Sequence, residues 1–479
     1  MNSKANDSTF QRWKWLLETA IITLAAFLLS LVPFEGLEAN GKVTLIIFLW
    51  CIAMWIVKPI PEWLTSSLAS VVLVTFFGFG AGAQFSGFGN AGWWLVVYAS
   101  VLGLVMVDSG LGKRMAYYVI SKLGSNYLTA SYALCLTTTV SSAFIPSAGA
   151  RSSTFAPIVD NLCDALGAKK GERGGESMPL ACMFANSTTT MLFMTATGAN
   201  VIDLNLVLEA TGKTLSWTSW FLAAFIPSLL TIACIPLVTY KLYPPVDKEK
   251  AKKLDVSFAK EALKEMGPMR AKEKWTLFCF VLTVLLWATG DLTGMNANIV
   301  PMLTVVLVLI PPFVDKKAGD ILRRIPWASM VWMGLVLGMS TLVENGGGFQ
   351  WLADKLILNS AFISNMSFTV FLAFWIVLVV FIHIVFAGMN AMVAIFVPIG
   401  MAIAEALGFD AYTVGIITTM CVAVGANFFC FNSQSNVLFY AMERFTVKQQ
   451  FLSAVVINFI ACVCLLLTLL LFWPAIGLV

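Results

Sequence analysis

The chain has 479 residues, 59% of them apolar and 12% charged, with a formal net charge of +4 and a mean hydropathy of +0.85. That balance excludes an ordinary soluble globular domain, since apolar windows of about 20 residues, long enough to cross a hydrocarbon core, recur along almost the whole length. The small charge excess reports topology, and no nucleic-acid partner is expected.

The first apolar stretch, Trp15 to Val32, follows Lys4, Arg12 and Lys14 as in a signal peptide. It is long enough to span and lacks a small-residue cleavage site, so it reads as a retained first helix. Spanning helices are then expected near 15–33, 43–58, 64–83, 93–108, 178–198, 216–243, 275–290, 297–313, 326–343, 412–438 and 449–474. Two more apolar blocks, near 128–168 and 366–407, are interrupted at their middles by Gly, Ser or Asn and read as re-entrant hairpins. The expected fold class is thus an all-α polytopic membrane protein with about eleven transmembrane helices and two re-entrant hairpins. Ten cysteines, among them Cys51, Cys135 and Cys430, fall in apolar segments without C-x-x-C spacing and read as packing residues, so no metal is expected.

Short loops rich in Lys and Arg stay cytoplasmic. Lys58, Lys113, Arg114, Lys169, Lys170, Arg173, Lys316, Lys317, Arg323, Arg324, Arg444 and Lys448 therefore share one side with the polar loop from Pro244 to Lys274. The opposite loops carry Glu35, Glu38, Asp203, Glu209, Asp291, Glu344 and Asp410. The N-terminus is placed inside and the C-terminus outside.

The polar loop also divides two similar halves, 1–245 and 275–479, with 246–274 between them. VDSGLGKRMAYYVISKLGS, Val107 to Ser125, and VENGGGFQWLADKLILNS, Val343 to Ser360, each follow a Trp-led helix and read as amphipathic interfacial helices. Each is followed by an interrupted block and then by a helix with a polar break: MTATGAN at Met194 to Asn200 within 178–211, and FNSQSN at Phe431 to Asn436 within 412–442. The first tail lies inside and the second outside, so the repeats are inverted. Inverted repeats with discontinuous helices are the layout of secondary transporters, which bind substrate near the midplane.

The stretch FIPSAGARSSTFAP, Phe144 to Pro157, is the clearest break. An arm ends at Pro146 and a helix restarts after Ser147-Ala148-Gly149, aiming its N-terminal N–H groups at membrane depth. Phe386-Ala387-Gly388-Met389-Asn390 does the same in the second half. Two such helix starts suit an anion. Ser147, Ser152, Ser153, Asn390, Thr195, Thr197, Asn200, Ser433, Ser435 and Asn436 supply hydroxyls and amides that donate to carboxylate oxygens, or else simply allow close helix packing.

Arg151 costs at least about 2.5–3.5 kcal/mol at membrane depth and needs a partner. No acid precedes Asp160 nearby, so the partner is either the substrate or the carbonyls of the broken turn. His383, the only histidine, precedes Gly388 by five residues and is either a packing residue or a titratable charge.

With these residues the chain resembles the divalent anion:sodium symporter (DASS) family of dicarboxylate, citrate and sulfate carriers, over nearly its whole length. Family members carry Ser-Asn-Thr at both hairpin tips. Here Ser147-Ala148-Gly149 keeps only the serine, and Gly388-Met389-Asn390 keeps neither serine nor threonine, which argues against sodium sites built from several close oxygens. In the exchanger branch, similar to bacterial citrate/succinate and tartrate/succinate antiporters and chloroplast dicarboxylate translocators, the first tip continues Ala-Arg, matching Ala150-Arg151. A histidine precedes the second tip's Phe-Ala, as His383 precedes Phe386-Ala387.

The resemblance implies sodium-independent exchange of small polycarboxylates, with Arg151 and His383 in place of coupling cations and no cofactor. It further implies an elevator motion against a scaffold, a homodimer, and a bacterial inner membrane. The alternatives are a sodium- or proton-coupled symporter and an intramembrane enzyme. Against the enzyme, no paired carboxylates or His/Asp partner accompany the hydroxyls. A channel fits poorly, and no P-loop supports ATP-driven transport.

Overall fold

A computed structural model describes the backbone of residues 2–478 other than 144, 146, 166–169, 171–173, 214, 246, 253, 255, 311–317, 359–360 and 387. The side chains of 2–12, 165, 248, 250, 357–358, 361–362 and 434 are not described either. Phe144, Pro146, Lys169, Arg173, Lys316, Lys317 and Ala387, used in the reading above, thus lie outside the described residues.

The described chain is helical throughout, without a strand. Eight of its helices are long and apolar enough to cross a membrane, against eleven expected. Six coincide with expected spans: Trp13–Leu31, Ala39–Val57, Ala91–Ser109, Trp217–Leu242, Trp327–Asn345 and Val447–Phe472. The other two are Phe368–Val385 and Met389–Ala406, the arms of the second interrupted block. That block therefore holds two helices of spanning length.

The remaining expected spans are short or interrupted for visible reasons. Glu62–Val71 continues through a π-helical turn only to Phe76. Ala271–Ala288 begins on Lys272, Glu273 and Lys274, whose charges belong at an interface. Val300–Val308 is nine residues long. The two expected broken helices divide into Ser177–Leu192 with Gly198–Thr211, and Ala411–Gly425 with Gln434–Tyr440.

The two halves repeat each other in detail. The helix pair Tyr127–Ser142 and Ala148–Ala165 has its counterpart in Phe368–Ile382 and Met389–Ala406, starting 241 positions later in both arms. Each second arm is 18 residues long and carries an internal proline at the same place, Pro157 and Pro398. A proline there removes one intrahelical hydrogen bond, so its repetition marks a built feature. The amphipathic tails are also found, as Leu111–Leu123 and Gly348–Leu358.

Basic and acidic side chains pair across elements. Arg114 donates to Glu273 Oε2 at 2.8 Å and to the Gly267 carbonyl at 2.8 Å. Arg324 pairs with Asp108 at 2.5 Å, and Arg444 holds Asp160 at 2.7 Å together with Asp164. The polar loop is no free linker. Its Ser257–Met266 helix packs on Leu111–Leu123, and Leu254 N donates to the Ser125 carbonyl at 3.1 Å. Further polar contacts join Asp291 with Ser216, Lys213 with Asp410, and Glu209 with Thr341. Asp203 and Glu209 are not loop residues as the sequence suggested, since both lie within Gly198–Thr211. All ten cysteines are free, eight of them buried.

Small residues set the closest helix approach. A Cβ on Gly41 would sit 2.0 Å from the Gly346 carbonyl oxygen, so the helix Ala39–Val57 touches the end of Trp327–Asn345 backbone to backbone. Gly41→Ala must push two rigid elements apart, which typically costs about 1–3 kcal/mol. The solubilised variant is expected to melt several degrees below wild type; an unchanged melting temperature would mean the contact is not needed.

Candidate functional site

The first arm begins with a reciprocal cap: Thr129 N donates to Asn126 Oδ1 at 2.9 Å and Asn126 N to Thr129 Oγ1 at 3.0 Å. It runs to Ser142, and the next helix starts at Ala148. Ser147 caps that start, accepting from Ala150 N at 3.3 Å through its hydroxyl and from Arg151 N at 3.0 Å through its carbonyl. Ser147 is exposed and Ala148 and Gly149 are half-buried, so this turn reaches out of the packed interior.

Arg151 points the other way and is fully buried. Its guanidinium makes four hydrogen bonds: Nε to Asn186 Oδ1 at 2.7 Å, Nη1 to the carbonyls of Ile145 at 2.6 Å and Ala196 at 3.2 Å, and Nη2 to the Asn186 carbonyl at 3.2 Å. The carbonyls of Ile145 and Ala196 belong to two different breaks, so one side chain ties both together. Among the described residues no carboxylate pairs with it. Of the two partners considered for Arg151, the carbonyls of the broken turn are therefore present.

Asn186 is the centre of the cluster, and sequence reading missed it. Its Nδ2 lies 2.9 Å from the Ala148 carbonyl, 2.7 Å from Ser152 Oγ and 2.7 Å from Ser435 Oγ, while the two hydroxyls lie 2.6 Å apart. Ser152 comes from the first half and Ser435 from the second, so this buried contact joins the halves. The available signal was an amide opening the polar run NSTTT inside an expected span, because a buried amide without partners is costly.

The two helix breaks share one design. Asn200 Nδ2 donates to the carbonyls of Thr190 at 2.7 Å and Phe193 at 3.0 Å, ten and seven residues back. Asn436 Nδ2 donates to Ala426 at 2.7 Å and Phe429 at 3.0 Å, again ten and seven back. Thr197 and Ser433 stand at the matching N-cap positions in extended backbone, with φ of −156° and −150°. Ser433 Oγ accepts from Ser435 N at 3.3 Å. The Asn side chains thus satisfy carbonyls that the interruption leaves open, and both Asn Oδ1 atoms stay buried without a hydrogen-bond partner. Thr195, with Ala143, lines a cavity of about 10 Å³ closed by Ala99, Leu102, Phe280, Thr283 and Trp287, room for about one water.

In the second half Phe368–Ile382 runs into a 3-10 turn, His383–Val385, and Met389–Ala406 starts after Gly388. Gly388 is extended, with φ 177°, a conformation any residue adopts. Met389 is buried and Asn390 half-buried. Asn432 Nδ2 braces the turn, donating to the carbonyls of His383 at 2.8 Å and Phe386 at 2.6 Å. His383 is fully buried against Gly425, where a Cβ would lie 3.0 Å from its own Cβ. The Val422 carbonyl faces the imidazole, but neither ring nitrogen closes a hydrogen bond.

Arg151 and His383 are not equivalent positions. Arg151 is the fourth residue of a second arm, and its counterpart there is the buried Met392, while His383 ends a first arm. The structure brings Arg151, Ser152 and Ser435 into one cluster, sets Asn200 and Asn436 to hold the breaks, and leaves His383 outside that cluster.

Residues 11–479 match the family described as the sodium:sulfate symporter transmembrane region. The chain belongs to this family. Among its relatives is the inner membrane protein YbhI of Escherichia coli, 31% identical over 411 residues and 83% of each chain. Another is the chloroplastic dicarboxylate transporter 1 of Spinacia oleracea, 28% identical over 93% of this chain and 78% of that one. The putative malate transporter YflS of Bacillus subtilis is 29% identical over 67% of this chain and 68% of that one. A solved structure, the YdaH transporter of Alcanivorax borkumensis, superposes with a TM-score of 0.58 over 82% of this chain and 87% of that one at 13% identity, a likeness of fold. The protein is a multi-pass membrane transporter and not an enzyme.

Proposed function

We propose that this transporter exchanges di- and tricarboxylates across a bacterial inner membrane by sodium-independent antiport. The observation that carries the proposal is Arg151: a fixed positive charge, fully buried, with no carboxylate partner among the described residues. Its hydrogen bonds are all to neutral acceptors, so its charge stays uncompensated until an anion arrives. The half-buried helix start at Ala148-Gly149, the start at Gly388-Met389-Asn390, and the caps Ser147, Thr197 and Ser433 supply the donors for carboxylates. Relatives named as dicarboxylate and malate transporters support this substrate class.

In this reading the hairpins near 128–168 and 366–407 re-enter the membrane from opposite sides. With the broken helices near 178–211 and 412–442 they move as one body in an elevator step, within a homodimer. The N-terminus is cytoplasmic and the C-terminus external. An empty site holding Arg151 and two helix N-termini crosses lipid at high cost, and a dianion cancels the charge, so exchange becomes obligatory.

Proteoliposomes loaded with an internal dicarboxylate are expected to take up labelled succinate, 2-oxoglutarate, malate or citrate, with no response to a sodium gradient. Robust sodium-driven uptake into vesicles lacking internal substrate would overturn the proposal. It would favour instead a coupled symport, the reading to which the two unpartnered oxygens of Asn200 and Asn436 lend support as cation ligands.

A further inference from the structure

Asp203 has no part in the site described above, yet it is among the least comfortable residues in the chain. It lies in the middle of Gly198–Thr211, fully buried, and neither carboxyl oxygen makes a hydrogen bond. Thr419 Oγ1 faces it from Ala411–Gly425 and is likewise buried without a partner. On the same helix face one turn on, Val207 packs against Gly415 and Met401, so the carboxyl sits between Gly198–Thr211, Ala411–Gly425 and Met389–Ala406.

None of the helices packed most closely on this one brings a cation. Met389–Ala406 carries only Glu405, Ala411–Gly425 only Tyr412 and the buried thiol Cys421, Ala91–Ser109 only Tyr98 and Asp108, and Trp327–Asn345 only Glu344; the helix itself adds Glu209. The cation beyond its end, Lys213, is exposed, pairs with Asp410 and covers the Tyr412 ring. Nor does packing call for a carboxyl here. The repeat that matches Thr197 with Ser433 and Asn200 with Asn436 places the buried Phe439 opposite Asp203.

A carboxylate stripped of water and without a counter-charge is costly enough that such a group takes up a proton instead. We infer that Asp203 is a proton-binding site: it stands in this conformation as a neutral carboxylic acid facing Thr419, and transport requires that it keep its proton. The proton goes to water when the acid ionises in alkali. The resulting charge lies in a helix between Asn200, which holds the first break, and the contact of that helix with Ala91–Ser109, where Gly92 meets Asn205. A body carrying it moves through lipid at a penalty, so activity falls as pH rises through the Asp203 pKa.

The transport arm of the test rests on the exchange proposed above; the spectroscopic arm does not. Exchange of labelled dicarboxylate is measured from acidic to alkaline pH on both faces, with wild type and Asp203→Asn, which keeps the shape and cannot ionise. Wild type is expected to lose activity in alkali at least tenfold, and Asp203→Asn to hold its acid-limit rate throughout. Using the same acids in both variants cancels the substrate's own titration, and Glu209, Glu344 and Glu405 are common to both.

Infrared spectra of the purified protein at neutral pH are expected to show a protonated-carboxyl C=O band that is missing in Asp203→Asn. An alkaline fall of the same size in both variants, or no difference in that band, overturns the inference. Should Asp203→Asn not fold, Thr419→Val replaces it: the inference expects the alkaline limb of exchange to move, and a limb that stays in place overturns it. If wild type exchanges no dicarboxylate at any pH, the substrate proposal fails while the infrared band still decides whether Asp203 holds a proton.

Discussion

Arg151→Ala is expected to abolish exchange and, separately, to lower the melting temperature of the solubilised protein. The second loss follows from the hydrogen bonds. The side chain donates to the carbonyls of Ile145, Ala196 and Asn186 and to Asn186 Oδ1, all at membrane depth. Each buried acceptor left unsatisfied costs about 1–3 kcal/mol, so removing the fork costs about 3 kcal/mol or more even with partial relaxation. The first loss follows from the charge. A neutral site no longer attracts a dianion, and its helix starts alone supply only partial charges that fall off within a turn.

Two further substitutions separate the causes. Arg151→Lys keeps the charge but has no planar fork to bridge Ile145 and Ala196, so it is expected to melt lower yet remain a strict exchanger at reduced rate. Arg151→Met copies the residue that the second half places at the equivalent position, Met392, and is expected to lose both stability and exchange. Melting curves and proteoliposome exchange, run side by side, read the two effects. Wild-type transport by Arg151→Ala would remove the charge from the mechanism and leave Arg151 as a brace between two breaks.

Much of this arrangement was legible in the sequence because membranes make local rules strict. Backbone at membrane depth must pair within its own helix, so Gly, Ser, Asn and Pro inside apolar blocks marked the interruptions near Ser147, Thr197, Gly388 and Ser433 to within a few residues. What the sequence did not disclose is which acceptor each buried polar group meets. For Arg151 the carbonyls of its own broken turn were one of two open choices, but nothing local shows that Ala196, from a second break 45 residues on, and Asn186 complete the set. Asn186 sits in Ser177–Leu192, ahead of the break that ends that helix, and its role depends on Ser152, 34 residues before it, and Ser435, 249 residues after it. Asp203 was taken for a loop residue since acids usually end spans; instead the restarted helix Gly198–Thr211 carries it back into the packed interior. The count of spans failed where helices are short, as at Val300–Val308, because apolar runs record burial in lipid or protein alike.

Asn186→Asp is expected to turn a strict exchanger into a carrier that also moves empty. The substituted carboxylate takes the place of Oδ1, 2.7 Å from Arg151 Nε, and forms a buried, charge-assisted pair with the guanidinium. The hydroxyls of Ser152 and Ser435, which share the two hydrogens of Asn186 Nδ2 with the Ala148 carbonyl, can rotate and donate to the new oxygen. Only the Ala148 carbonyl then loses a donor, a cost of about 1–3 kcal/mol that leaves the fold intact. Electrically the change is larger. The site loses its uncompensated positive charge, and a unit charge about 5 Å away at an effective dielectric near 20 is worth about 2–4 kcal/mol. Half-saturation for a dicarboxylate should rise at least tenfold. The empty body, no longer charged, should cross without substrate, so labelled dicarboxylate should enter vesicles that contain none. Net uptake with weakened affinity is what charge cancellation requires, whereas a variant that still exchanges strictly, with wild-type half-saturation, would show that something other than the Arg151 charge holds the empty carrier in place.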